Sequence, residues 1–360
     1  MNIYIMDGLN GITDIIDSFR SVIWNVQYYG VNDFELIIAG NVKNLNRLTV
    51  GKLLVLEGDF SGGKYENVMI IETRELSFSV DEGWLLTVRG SGLKNILSRR
   101  IVWNQMNLTG KVEPIIRQVI TDNVIDPIVP ERQIDDFILD AEQGFSDEIQ
   151  STESDNQLSG DNIAEWMESI CKTYSIGWDV YIDNGKYVFK LYKGEDRSFN
   201  QNVNTPVVFS PEYDNLTNSK YTYDITEYKN SGIVAGEGEG SAQAVVNVGD
   251  ASGLDRFEMY IDGSSVSSNG EIITQQTYLK MLTDYGNSEL KATQALEKVE
   301  GEVVANGLYK INHDYYLGDL VQIVNEYNIS AETRIIEVIY SEDENGSTLV
   351  PTFSDWSDDD

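Results

Sequence analysis

VGKLLVLE, residues 50–57, and LGDLVQIV, residues 317–324, are nearly the same phrase written twice in one chain. Each is followed by a second apolar run, NVMIIETRE or TRIIEVIYS, then by a turn ending in glycine, Asp81-Glu82-Gly83 or Glu344-Asn345-Gly346, and then by a third run, WLLTVRG or STLVPTF. One strand-turn-strand pattern is common and constrains little. Three in the same order constrain a great deal: Gly51 matches Gly318, and Ile70-Ile71-Glu72 matches Ile335-Ile336-Glu337. The expected fold is therefore one that repeats a β unit at both ends and fits the remaining sequence between them.

The rest of the chain is read around that repeat. Residues 1–105 carry short apolar or alternating runs (IYIMD, SVIWNVQYYG, FELIIAG) broken by Gly, Asn and Asp, the rhythm of a first antiparallel β-barrel domain. Residues 106–204 change period. Val112, Ile115, Ile116, Val119 and Ile120 recur at helical spacing, and so do Ile163, Trp166, Met167, Ile170, Cys171 and Tyr174, with Gly177 as the expected stop. WDVYID and KYVFKLY flank Asn184-Gly185, a strong hairpin signal, so this middle part is expected to be an α+β domain with two amphipathic helices and a hairpin. The polar stretch EQGFSDEIQSTESDNQLSGDN between the helices predicts a mobile loop. Residues 205–355 return to strands as a second β-barrel domain. A long helical segment is inserted at about 272–300, on Tyr278, Met281, Leu282, Tyr285, Leu290, Leu296 and Val299, with Gly301 as its stop. Residues 356–360 read as an acidic tail. The fold class is mainly β with an α+β insertion.

Charge narrows the function. There are 59 acidic residues against 26 basic ones, a formal net charge of -33. Proteins that hold nucleic acid draw their affinity from Lys and Arg, so this chain is not expected to read DNA. No apolar run approaches 18 residues and no basic, apolar leader follows Met1, so neither a membrane span nor a signal peptide is expected. Cys171 has no partner for an internal disulfide, and Asn-x-Ser/Thr triplets at Asn107, Asn215, Asn328 and Asn345 have no meaning without secretion.

Motifs that could carry chemistry dissolve on inspection. Gly58 to Tyr65 nearly spells a phosphate loop, but Tyr65 stands where Ser or Thr must reach magnesium, and a strand rather than a helix follows; it reads as a hairpin. Gly236 to Gly240 carries Glu237 and Glu239, which would repel phosphate. SEDENGS, residues 341–347, lacks calcium-loop spacing and reads as the Asn345-Gly346 turn. With His313 the single histidine and Cys171 the single cysteine, neither a zinc centre nor a nucleophilic triad can be assembled, and no cofactor or enzyme activity is expected. Carboxylate pairs are too abundant here to point to glycoside hydrolysis. The 20 Tyr and 6 Trp leave a carbohydrate- or receptor-binding module as an alternative.

IIDSFRSVIWNVQYYGVNDFEL, RGSGLKNILSRRIVWNQMNLTGKVEPIIRQVI, VVFSPEYDNLTNSKYTYDITEYKN with VAGEGEG, GLDRFEMYID, and HDYYLGDLV with TRIIEV form a series of blocks in one order. In them the chain resembles the siphophage and prophage tail-hub proteins of Gram-positive hosts, the hub portion of tail-associated lysins, related in fold to the baseplate hub of contractile-tailed phages. Trp24, Tyr29, Phe34, Tyr316 and Asp319 fall within those blocks, beside the repeat positions already named. The resemblance implies two β-barrels similar to the tail-tube fold and a homotrimer whose six barrels continue a sixfold tube. It further implies a distal tail protein ring, a tape-measure protein and tip or fibre proteins as partners, at a virion tail tip made in the host cytoplasm. Relatives often continue into a long C-terminal region for host attachment or wall digestion. The chain ends at Asp360, so a receptor-binding module ranks behind the structural hub as an alternative, and a cell-wall hydrolase behind both. In such a ring the acidity would line the channel with like charge, so that DNA passes without adhering.

Overall fold

The computed structural model describes residues 1–149, 157–268, 273–304 and 307–354. The first part of the chain runs through β1 (Ile3–Met6), β2 (Ile12–Ile16), β3 (Ser21–Gln27), β4 (Asp33–Ala39), helix α1 (Val42–Arg47), β5 (Leu53–Leu56), the small hairpin β6 (Phe60–Ser61) and β7 (Lys64–Tyr65), and the long hairpin β8 (Met69–Ser79) and β9 (Gly83–Gly92). The middle contains α2 (Asn95–Ser98), β10 (Met106–Asn107), β11 (Gly110–Lys111), α3 (Val112–Ile120), β12 (Phe137–Leu139), β13 (Glu148–Ile149), β14 (Gln157–Leu158), α4 (Ile163–Thr173), β15 (Gly177–Asp183) and β16 (Lys186–Tyr192). The last part contains β17 (Val208–Phe209), β18 (Leu216–Asp224), β19 (Ser231–Ala235), β20 (Val245–Val248), β21 (Glu258–Asp262), α5 (Gln275–Ala292), β22 (Leu296–Val303), β23 (Leu320–Val324), β24 (Ser330–Asp343) and β25 (Gly346–Phe353).

Side-chain alternation explains the layers. In β4, Phe34, Leu36 and Ile38 enter one core with Trp24, Leu86 and Val88, while Asp33 and Ala39 at the strand's two ends are exposed. β5 is apolar throughout because both its faces are covered. Leu54 and Leu56 enter that first core, whereas Leu53 and Val55 enter a second one shared with α3, α4 and β15. Ile70 and Ile71 divide between the same two cores. A third core lies under β23 and β24, and a fourth joins α5 to the sheet β20-β19-β21.

The two copies of the repeated phrase fold alike. The Gly51 N–H donates to the Ile71 carbonyl at 2.8 Å and the Ile71 N–H to the Lys52 carbonyl at 2.9 Å; the Gly318 N–H donates to Ile335 at 2.8 Å and the Ile335 N–H to Asp319 at 2.9 Å. The register of β8 on β9 then shifts between Ile71 and Thr73, and that of β24 on β25 between Ile335 and Glu337. Beyond these bulges the hairpins are equally long, Thr73↔Arg89 to Ser79↔Gly83 and Glu337↔Thr352 to Asp343↔Gly346. Structural equivalence is therefore Ile71 with Ile335 and Glu72 with Ile336, one residue away from the match of Ile70-Ile71-Glu72 to Ile335-Ile336-Glu337. Both copies carry the bulge, so the offset is one of register alone, which the backbone hydrogen bonds fix and matching letters do not.

One sheet carries both copies, in the order β17-β23-β24-β3-β4-β9-β8-β5-β1-β2, with β25 also on β24. The path is open. Among the described residues no ladder closes either copy into a barrel of its own, and the copies are joined to each other where β24 pairs antiparallel with β3.

Other expectations shift for physical reasons. The inserted helix ends at Ala292 instead of near residue 300, because Leu296–Val303 is β22, paired with β18 from Leu216↔Val303 to Asp224↔Leu296. Leu296 and Val299 fit a helical period, but a short apolar run fits both periods and the pairing decides. Gly177 does not stop α4, which ends at Thr173; it opens β15. The polar stretch between the helices contributes β13 and β14, paired with β11 and β10; its residues 150–156, like the expected tail 356–360, lie outside the described residues.

Candidate assembly interface

Tyr28 is the point where the three parts of the chain meet. It follows β3, is fully buried, and its N–H donates to the Ile336 carbonyl of the second copy at 2.8 Å. Its hydroxyl lies 3.3 Å from both the Ser175 and the Tyr192 carbonyls of the middle part, and its ring meets Tyr192 edge-on at 5.2 Å. Two glycines make room for it. A Cβ on Gly177 would stand 2.2 Å from the ring, and one on Gly318 2.3 Å. Burial in this packing pushes the phenol well above its ordinary range.

Two charged clamps hold the junction. Asp319, 1% exposed, accepts from the Glu195 N–H at 2.7 Å, the Tyr316 N–H at 2.9 Å and Arg197 Nε at 2.7 Å, so the turn of the second copy is tied to the chain leaving β16. Charge-assisted bonds of this kind are the strong ones in a protein interior. Lys94, also 1% exposed, donates to the Gln27 and Gly30 carbonyls at 2.6 and 2.9 Å, beneath the Trp178 ring. Burial pulls its pKa down to about 8, while Asp179 works in the opposite direction. Trp178 completes the hold by donating its indole N–H to the Tyr29 carbonyl at 2.5 Å.

The expected positions are divided among these features. Trp24 and Phe34 are buried neighbours across β3 and β4, their rings 5.4 Å apart, and Trp24 pairs with Tyr340 of β24 across the join. Tyr29 is buried in the core under the middle part. Glu72, at the bulge, accepts from Asn95 Nδ2 at 2.6 Å and Ser91 Oγ at 2.9 Å, fastening α2 to the hairpin. Ile336, at the matching bulge, packs towards the core of the middle part, and Glu337 pairs with Gln27. Tyr316 is half exposed beside the Asp319 clamp. Tyr28, Lys94 and Gly177 are absent from the expected set, although all three lie at the junction.

A cleft of about 670 Å³ opens beside the join, lined among others by Trp24, Asp59, Asp179, Lys190, Tyr316 and Tyr340. Lys190 reaches Glu66 at 3.3 Å and Asp179 at 3.7 Å. Burial works against its charge, but Asp179 and Glu66 outweigh it and raise its pKa. Asp59 has no cation among the groups that act on it. Burial pushes its carboxyl up to about 7, opposed by a hydrogen bond with Asn67 and reinforced by Glu66 and Asp179.

The near-phosphate loop is the hairpin of β6 and β7, and β7 pairs with β15. Glu237 accepts hydrogen bonds from Ser267 and Ser268, and Asn345-Gly346 forms the turn of β24 and β25. Burial raises the Cys171 thiol pKa, which suppresses the thiolate, and His313 is exposed beside Asp314.

This fold, a duplicated β unit joined edge to edge with an α+β part packed against the join, is similar to that of solved tail proteins. The 43 kDa tail protein of prophage MuSo2 from Shewanella oneidensis is similar over all of both chains, at 13% identity and a TM-score of 0.58. A tail protein from Neisseria meningitidis MC58 is similar at 13% identity over 99% of this chain and 98% of its own, with a TM-score of 0.56. Prophage tail protein gp18 from Listeria monocytogenes EGD-e is similar at 13% identity over 99% and 95%, with a TM-score of 0.51. No curated protein matches the sequence. The chain belongs to the Siphovirus ReqiPepy6 Gp37-like protein family, whose model matches residues 2–354. Its fold is similar to that of these three tail proteins.

Proposed function

We propose that this chain is a phage tail protein, a structural hub at the distal end of the tail, working as a ring of three chains. The observation that carries the reading is the matched pair of β units, alike in glycine turn, bulge and hairpin length and joined through β3 and β24. Three such chains present six similar units, which suits a sixfold tube. In this reading each copy belongs to a barrel of the ring, the ring encloses the channel for DNA and the tape-measure protein, and it hands the tube on from the distal tail ring to tip or fibre proteins. The excess of carboxylates gives the channel wall a charge that repels DNA. The role needs no covalent chemistry from any residue. Electron microscopy of the purified chain over a range of concentrations tests it. Threefold rings with a central hole are expected; monomers throughout, or rings of another order, would sink it.

A further inference from the structure

β8 and β24 are matched strands that differ in what lies along one edge. Beyond its bulge, β24 pairs with β25 on one side and with β3 on the other, from Glu337↔Gln27 to Glu342↔Val22. Over the matched residues β8 pairs with β9, and among the described residues Thr73–Phe78 takes no strand on the other side. The apolar face there is bare as well. Leu76 is 43% exposed, Phe78 59% and Trp84 54%, with the Phe78 and Trp84 rings 5.2 Å apart. At the second copy, the residue equivalent to Leu76 is Tyr340, which packs against the core of the first copy. That position is thus covered by its neighbour in one copy and uncovered in the other. Unpaired strand edges with apolar side chains are templates for another strand.

We propose that a second copy of this chain completes the edge: β18 of one protomer adds antiparallel to Thr73–Phe78 of β8 in the next, as β3 adds to β24 within the chain. This rests on the ring reading above and names the surface that would build it. β18 is the counterpart of β3 by chain order and by pairing. β3 precedes and pairs with β4, which pairs with β9; β18 precedes and pairs with β22, which lies against β25. Its sheet has only two strands, so one of its edges also takes no strand among the described residues. Leu216–Asp224 is long enough to cover Thr73–Phe78. The contact is head to tail, because it uses different surfaces on the two protomers, and it closes into a ring when each step repeats the turn of the internal join.

Cross-linking tests this on the full chain. Ser77→Cys is combined in turn with Thr217→Cys, Ser219→Cys or Thr222→Cys and oxidised; Cys171 is buried and serves as its own control. Covalent dimers and trimers are expected from at least one pair and none from Ser77→Cys alone. Leu76→Asp with Phe78→Asp is expected to weaken assembly by about tenfold or more with unchanged circular dichroism. Covalent dimers from Ser77→Cys alone would show β8 pairing with β8 and overturn the proposal. Threefold rings with no cross-link from any pair, and unweakened assembly of the Asp variant, would overturn it while leaving the ring standing. Monomers throughout, with no cross-link, would overturn both.

Discussion

Gly51 and Gly318 occupy the same backbone device, at φ of +87° and +94° and with the same pair of hydrogen bonds, yet they stand in different surroundings. A Cβ added to Gly51 would meet nothing within 4 Å, whereas one added to Gly318 would press into Tyr28. The next residue differs in the same direction. Lys52 makes one ion pair with Asp7 at the surface, while Asp319 is buried and accepts three hydrogen bonds. Repetition kept the local geometry, and only one copy became the place where the parts of the chain lock together. Local conformation is therefore a poor guide to the energetic weight of either turn.

The sharpest way to break this comparison is at the clamp. Asp319→Ala leaves Arg197 and two backbone N–H groups without their acceptor in a buried setting, and is expected to cost about 4 kcal/mol in a denaturant titration. A loss under about 1 kcal/mol would mean the second turn is no more a lock than the first. Next in size, Gly318→Ala is expected to cost about 3 kcal/mol, from a positive φ imposed on an L residue and from a methyl group forced against the Tyr28 ring.

Asp59 extends the comparison to the cleft beside the join. Its folded pKa of about 7 lies above its ordinary 3.8, so the folded protein holds this proton more tightly than the unfolded chain. The stability that follows is fully present below pH about 4 and is lost as the pH rises towards 7, with no further loss above. Asp59→Asn removes that dependence. Measured at pH 5 and pH 8, the stability of Asp59→Asn relative to wild type is expected to rise by about 2 kcal/mol at the higher pH. An unchanged difference would place the Asp59 carboxyl in water.

Much of this architecture is legible in the sequence, and the illegible part has a common cause. The repeat shows because its inner strands are covered on both faces, and LLVL and MII then stand out as unbroken apolar runs. The helices α3 and α4 show because one face of each is buried. What stays hidden depends on partners far along the chain. Lys94 answers carbonyls 64 and 67 residues away, and Asp319 answers groups 122 and 124 residues away. Nothing near Tyr28 and Tyr29 distinguishes them in YYG, although Tyr28 alone is flanked by Gly177 and Gly318. The exposed face of β8 is equally silent, since Leu76 and Phe78 alternate just as core residues do.

The smallest effect sharpens the comparison most, because it isolates a single term. Gly51→Ala imposes the same backbone strain as Gly318→Ala without a steric neighbour. An L residue in the left-handed region costs about 1–2 kcal/mol, and replacing glycine returns part of that, about 0.4–1 kcal/mol, by restricting the unfolded chain. The expected net loss is about 1 kcal/mol. Since the backbone contribution is common to both glycines, the gap of about 2 kcal/mol between the two substitutions measures the press of the methyl group on the Tyr28 ring. Equal losses would mean that Tyr28 yields, and that Gly318 is kept for its turn alone.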